Sequence, residues 1–122
     1  MIGDGVLFEV EGRKFVAEMR CAREAVPVGQ VTPIPTAPPE VLGVTQVRGQ
    51  VVPLLDLPRM LGGRPTAVRM GDVGLLVQVG DTLALLCGAS AIAVGGASEE
   101  ASPIDLASLL SQIQHRIEER PR

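Results

Sequence analysis

The chain has 122 residues, 46% of them hydrophobic and 20% charged, which is room for one domain with a buried core and too apolar for general disorder. Eleven basic residues against fourteen acidic ones leave a net charge of −3, and the aromatics amount to two Phe with no Tyr or Trp. Those numbers argue against a surface that tracks phosphates and stacks bases, and so against nucleic acid as a partner. Fourteen Gly and ten Pro in so short a chain imply many turns and few long helices.

In chain order, Val6-Leu7-Phe8-Glu9-Val10 and Lys14-Phe15-Val16-Ala17-Glu18-Met19 alternate as strands around the turn residues Glu11-Gly12-Arg13, which predicts a hairpin. Residues 20–31 fit either a helical turn or an irregular strand, ended by Pro27. Thr32-Pro33-Ile34-Pro35-Thr36-Ala37-Pro38-Pro39 then predicts a stiff, extended connector, and Glu40-Val41-Leu42 a short helical turn before Gly43.

A second hairpin follows, with Val44–Val47 and Gln50–Leu55 flanking Arg48-Gly49. Gly49 supplies the positive φ of the turn, and Pro53 makes its strand an edge or a bulged one. Asp56 can cap a brief helix over 57–61, stopped by Gly62-Gly63. A third hairpin spans 75–79 and 82–87 around Gly80-Asp81.

At the end, Ser102 as N-cap, Pro103 at the first helical position and Asp105 as a capping-box acid predict an amphipathic helix over about 103–118. Leu106, Leu109, Leu110, Ile113 and Ile117 line one of its faces, and Arg116, Arg120 and Arg122 suit the negative end of its dipole. Glycine-punctuated short strands of this kind suggest small barrels.

Reactive groups are scarce. No nucleophile elbow, phosphate-binding loop or zinc-protease motif occurs, and Gly62-Gly63-Arg64 lacks the Lys-Ser/Thr of a P-loop. His115, the one histidine, falls on the polar side of the last helix. Cys21 and Cys87 match no metal or redox spacing; Cys21, beside Arg20 and Arg23, is a candidate thiol nucleophile, with a packed small residue as the favoured reading. No catalytic, cofactor or metal site is expected. Residues 73–98 carry only Asp81 as a charge, yet glycines break them below the length of a membrane helix. The N-terminus lacks the basic-then-apolar pattern of a signal peptide, so a cytoplasmic protein with no membrane insertion is expected. From the residues alone, the chain is a small β-rich interaction module.

The stretch from Thr32 to Leu57, T-P-I-P-T-A-P-P-E-V-L-G-V-T-Q-V-R-G-Q-V-V-P-L-L-D-L, closely resembles the CheW family of bacterial chemotaxis coupling proteins, whose pattern there is roughly T-P-V-P-x-A-P-x-x-V-x-G-V-x-N-L-R-G-x-V-x-P-V-x-D-L. Upstream, Phe8, Phe15 and Cys21-Ala22-Arg23-Glu24-Ala25-Val26 fall where that family has its first hairpin and a V-x-E-V/I element. The resemblance is strong over 5–62 and weaker over 63–94, within a single domain of 1–122.

It implies a mostly β fold of two linked five-stranded β-barrel subdomains with a C-terminal amphipathic helix. It also implies a non-enzymatic adaptor without cofactors, joining the cytoplasmic tip of a chemoreceptor to the regulatory domain of a CheA-type histidine kinase. By the same resemblance Arg48, Glu24, Val44 and Val47 belong to the receptor-binding groove, with Glu24 a partner for Arg48. Gly43, Val41 and Leu42 face the kinase.

Three departures stand out: Gln46-Val47 for Asn-Leu, Pro58 for the usual Arg, and a loop at 95–103 where the family has another pair of strands. The second subdomain is therefore expected to be truncated, with kinase coupling weakened. A receptor-only modulator of clusters, a self-associating barrel module and a Cys21 enzyme are the alternatives.

Overall fold

The computed structural model describes residues 5–96 and 101–118, with side chains described through 93 and over 101–113. The side chains of His115, Arg116 and Ile117, and all of Arg120 and Arg122, lie outside the described residues.

The chain is mostly strand, in two sheets. The first hairpin pairs β1 (Gly5–Val10) with β2 (Arg13–Glu18), Phe8 opposite Phe15. A 3-10 turn over Met19–Cys21 leads into β3 (Ala22–Pro27), which resolves the ambiguous stretch as a strand. β4 (Val41–Val47) and β5 (Gln50–Asp56) form the second hairpin, α1 (Leu57–Met60) follows, and β6 (Val73–Val79) and β7 (Thr82–Cys87) form the third. β8 (Ala91–Gly96), β9 (Ser102–Ile104) and α2 (Leu106–Glu118) complete the chain.

The five-stranded sheet has the order β3-β6-β7-β5-β4, and the four-stranded one β8-β1-β2-β9. β6 and β7 carry the long apolar run because both of their faces are covered. Leu76 and Leu85 point into a cluster with Val26, Val47 and Val52, while Leu75, Val77 and Leu86 point at the core shared with the other sheet. That shared core holds Val6, Phe8, Phe15, Leu55 and Leu57, and it receives Leu106, Leu110 and Ile113 from α2. The helix thus packs on the chain's own sheets.

Four expectations are corrected. Glu40-Val41-Leu42 is not helical: Val41 begins β4 and pairs with Leu55, and the Asp56 N–H donates to the Glu40 carbonyl at 2.8 Å. The inward alternation Val41, Gly43, Thr45, Val47 outweighs any local helical preference. The proline connector is not one extended path. After Thr32 bridges Val44, it turns with the Ala37 N–H on the Ile34 carbonyl and again with the Val41 N–H on the Pro38 carbonyl.

Ser102-Pro103-Ile104 is not a helix start but an edge strand parallel to β2, where a proline is tolerated. Asp105 is the cap: its carboxylate accepts the Ser108 N–H at 3.1 Å and the Ser108 hydroxyl at 2.9 Å. The span 95–103 holds the end of β8 and the first two residues of β9, with 97–100 outside the described residues. The first hairpin joins β8 and β9 and not the hairpins that follow it.

Candidate functional site

A side-chain ion pair links the two edges of the five-stranded sheet. β3 lies at one edge and β4 at the other, and the β4–β5 turn brings Arg48 onto Glu24. Both terminal guanidinium nitrogens, Nη1 and Nη2, donate to the two carboxylate oxygens, a fork on a fork. Arg48 has φ +51° and Gly49 φ +82°, so the turn puts a non-glycine residue in the left-handed region, a conformation that clusters at functional sites. The Arg48 side chain is 71% exposed and that of Glu24 32%. Hydrogen bonding to Glu24, and then its charge, raises the guanidinium pKa further.

Glu24 reaches this position through a bulge in β3, where the pairing with β6 shifts between Ala22 and Glu24. Val47 is buried in the adjoining cluster with Val26 and Val52, forming the floor under the pair. Val44 points to the opposite face of β4. There, with Gln30, Thr32, Gln46 and Val51, it lines an uncharged cleft of about 390 Å³. Val51 is 64% exposed on this face. Leu42 is half-buried at the β4 bulge, where the pairing shifts between Val41 and Gly43.

Val41 and Gly43 are buried, and Gly43 has a plain structural reason. With φ +148°, a Cβ at this position would sit 2.4 Å from the Thr32 carbonyl oxygen. The close approach lets Thr32 and Val44 exchange both of their N–H···O bonds, at 2.8 and 2.9 Å, and so straps the proline connector to β4. The structure therefore brings Arg48, Glu24 and Val47 together, packs Leu42 against the cluster that holds Val47, sets Val44 on the opposite face, and makes Val41 and Gly43 interior.

Two features escape the sequence reading. A second cleft, about 530 Å³, runs between the two sheets, lined by Ala25, Val73, Gly88, Ala91 and Ile92 together with Thr66 and Asp72. Its signal in the sequence is the run of small residues Gly88-Ala89-Ser90-Ala91, which leaves room between strands. The other is the second task of Asp56. Fully buried, it caps α1 through the Arg59 N–H at 3.4 Å and also accepts the Thr66 N–H at 2.8 Å, tying the loop after α1 beside this cleft.

Both cysteines are free and buried. Burial, and secondarily Glu18, raises the Cys21 thiol pKa, and burial pushes Cys87 up to about 12. Cys87 also donates its S–H to the Leu55 carbonyl at 3.3 Å. Neither is set up as a thiolate nucleophile. Among the described residues no group of three or more His, Cys, Asp or Glu is placed to hold a metal ion, and no helix is long and apolar enough to cross a membrane.

Two sheets over one shared core, with the Arg48–Glu24 fork at the rim, are the frame against which known proteins compare. The model of the CheW-like domain matches residues 4–96. The chain belongs to the CheW-like family. It is 32% identical to a chemotaxis protein CheW of Rhizobium meliloti (strain 1021) over 74 residues, which is 61% of this chain and 48% of that protein. The crystal structure of the scaffolding protein TtCheW from Thermoanaerobacter tengcongensis superposes with a TM-score of 0.61 at 25% identity, covering 88% of this chain and 69% of that one. The chain thus matches about half the length of its curated CheW relative. The mostly β, two-sheet CheW fold implied by the motif is the fold observed.

Proposed function

We propose that this CheW-like chain is a non-enzymatic adaptor that binds the cytoplasmic tip of a chemoreceptor and links it to the regulatory domain of a CheA-type histidine kinase. The observation that carries the reading is the Arg48–Glu24 fork, an exposed and backbone-strained ion pair at the rim of the five-stranded sheet. A receptor acid that competes for Arg48 meets a guanidinium already held in place, so little ordering entropy opposes binding. Val47 supports the pair from below, and Val44 extends the contact onto the outer face of β4.

The kinase side is the bulged start of β4, where Leu42 is half-buried and Val41 and Gly43 fix the strand from within. Kinase coupling is the weaker of the two activities. Contacts shared between subdomains act multivalently, and the four-stranded sheet has fewer strands than the resemblance implies. A place in the cytoplasm beside receptor clusters follows from these partners.

The test is a titration of the purified chain and of Arg48→Ala against soluble receptor cytoplasmic fragments and against the kinase regulatory domain. The reading expects wild-type receptor binding, a clear loss in Arg48→Ala with the fold intact, and weaker affinity for the kinase domain. Unchanged receptor affinity in the variant removes Arg48 from the site. Kinase affinity and activation equal to those of a full-length CheW overturn the weakened coupling, and receptor binding with no kinase binding makes the chain an accessory modulator of clusters.

A further inference from the structure

The segment after β5 has an unusual charge arrangement. From Leu57 to Gly71 it carries Arg59, Arg64 and Arg69 and no acid, in a chain whose net charge is −3. Each of these arginines has its own main-chain N–H on a carboxylate. Arg59 N donates to Asp56 at 3.4 Å, Arg64 N to Glu11 at 3.3 Å, and Arg69 N to Asp72 at 2.9 Å. The acids therefore grip the backbone, and among the described residues none of the three guanidinium groups forms an ion pair.

Further bonds pin the end of the loop, with the Gly71 N–H on the Val28 carbonyl at 2.8 Å and the Val28 N–H on the Asp72 carbonyl at 2.7 Å. Arg64 and Arg69 are exposed, and Met70 beside them is 72% exposed. The result is a loop with a fixed backbone and cationic side chains directed to solvent.

We propose that this loop is a docking site for an acidic segment of a partner protein. Guanidinium groups match carboxylates as forks, the pairing this chain already makes between Arg48 and Glu24. A backbone held in advance loses little entropy when such a pair forms, and Met70 adds an adaptable apolar contact. Nucleic acid fits less well, because both Phe residues are buried and no aromatic is left to stack on bases. An anionic membrane also fits less well, since surface-binding polybasic segments usually gather about 4–8 cations.

The test needs no receptor sequence and so stands apart from the adaptor reading. A fluorescein-labelled Glu-rich peptide is titrated with the intact chain by fluorescence anisotropy, beside a Gln-for-Glu version, phosphatidylserine vesicles and a single-stranded oligonucleotide. Wild type binds the Glu-rich peptide and not the Gln version, and loses it in high salt, where the screening length falls to about 3 Å. Arg64→Glu/Arg69→Glu weakens binding by about tenfold or more. Arg64→Ala/Arg69→Ala falls between, and Arg23→Glu on β3 leaves it unchanged, with equal melting curves throughout. Absence of wild-type binding to the Glu-rich peptide, equal binding by the charge-reversed variant, or tighter binding to vesicles or oligonucleotide overturns the proposal.

Discussion

The five-stranded sheet comes from one uninterrupted stretch, residues 22–87, while the four-stranded sheet joins the first hairpin to strands from the far end of the described chain. The first closes on itself with a surface ion pair, Arg48 on Glu24, over a small apolar cluster of its own. The second shows no such clasp among the described residues, and it packs on the core shared by both sheets, which also receives Leu106, Leu110 and Ile113 of α2. Closure by an exposed ion pair contributes little to stability and leaves charged groups available to a partner. Closure by a buried apolar face contributes much and offers a partner nothing. Apolar burial is thus concentrated in the shared core, and the exposed ion pair sits at the rim of one sheet.

Four substitutions press on that contrast. The largest effect falls on the helix-covered side. Leu110→Asp buries a carboxylate in the shared core and is expected to cost more than about 4 kcal/mol, enough to unfold a domain of this size. A thermal melt followed by circular dichroism reads it, and a variant that melts like wild type would detach α2 from the core.

Next comes Gly43→Ala, which places a Cβ against the Thr32 carbonyl at a strained φ and costs about 2 kcal/mol. Its signature is faster hydrogen exchange at the Val44 and Thr32 amides, and unchanged exchange there contradicts the strap. Glu24→Gln removes the charged half of the clasp. The melting temperature falls less than in either variant above, while the β4–β5 turn shows increased motion by NMR relaxation. A fall as large as that of Gly43→Ala would mean that the ion pair holds the sheet shut.

The smallest effect is acidic. Hydrogen bonds from Ser108 hold the Asp105 carboxyl below its ordinary pKa of 3.8, so its capping contribution is complete above that value and is lost as pH falls through the lower folded-state one. Asp105→Asn keeps an acceptor but has no proton to gain. The α2 signal in far-ultraviolet circular dichroism is then expected to lose part of its decline below about pH 4. Identical acid limbs in the two proteins would remove Asp105 from the pH response.

The three hairpins were legible because each has alternating or continuous apolar strands around a turn residue that accepts positive φ, such as Gly49 and Gly80. The Arg48–Glu24 pairing was legible only through the family motif, since residues 24 positions apart in sequence carry no local sign of their meeting. What failed was non-local. Ser102-Pro103-Ile104 has a good helix-start signal, and pairing with β2 overrides it. Val41 looked helical after the prolines because its partner Leu55 lies beyond the next turn. The inter-sheet cleft and the second bond of Asp56 depend on how the sheets meet, which no window of sequence contains.

The parallel pairing of β9 with β2, Phe15 opposite Ser102 and Ala17 opposite Ile104, has a consequence for the order of assembly. Every contact of the five-stranded sheet can form once residue 87 is available, but the first hairpin finds its neighbours β8 and β9 only after nearly the whole described chain exists. The entropy of closing so long a loop must be met before those contacts return anything. During synthesis, then, Val6, Phe8 and Phe15 wait uncovered while the sheet behind them in sequence folds first. The first strands of the described chain are among the last to be sheltered, and the β9–α2 segment that completes their shelter acts as the latch of the folding reaction.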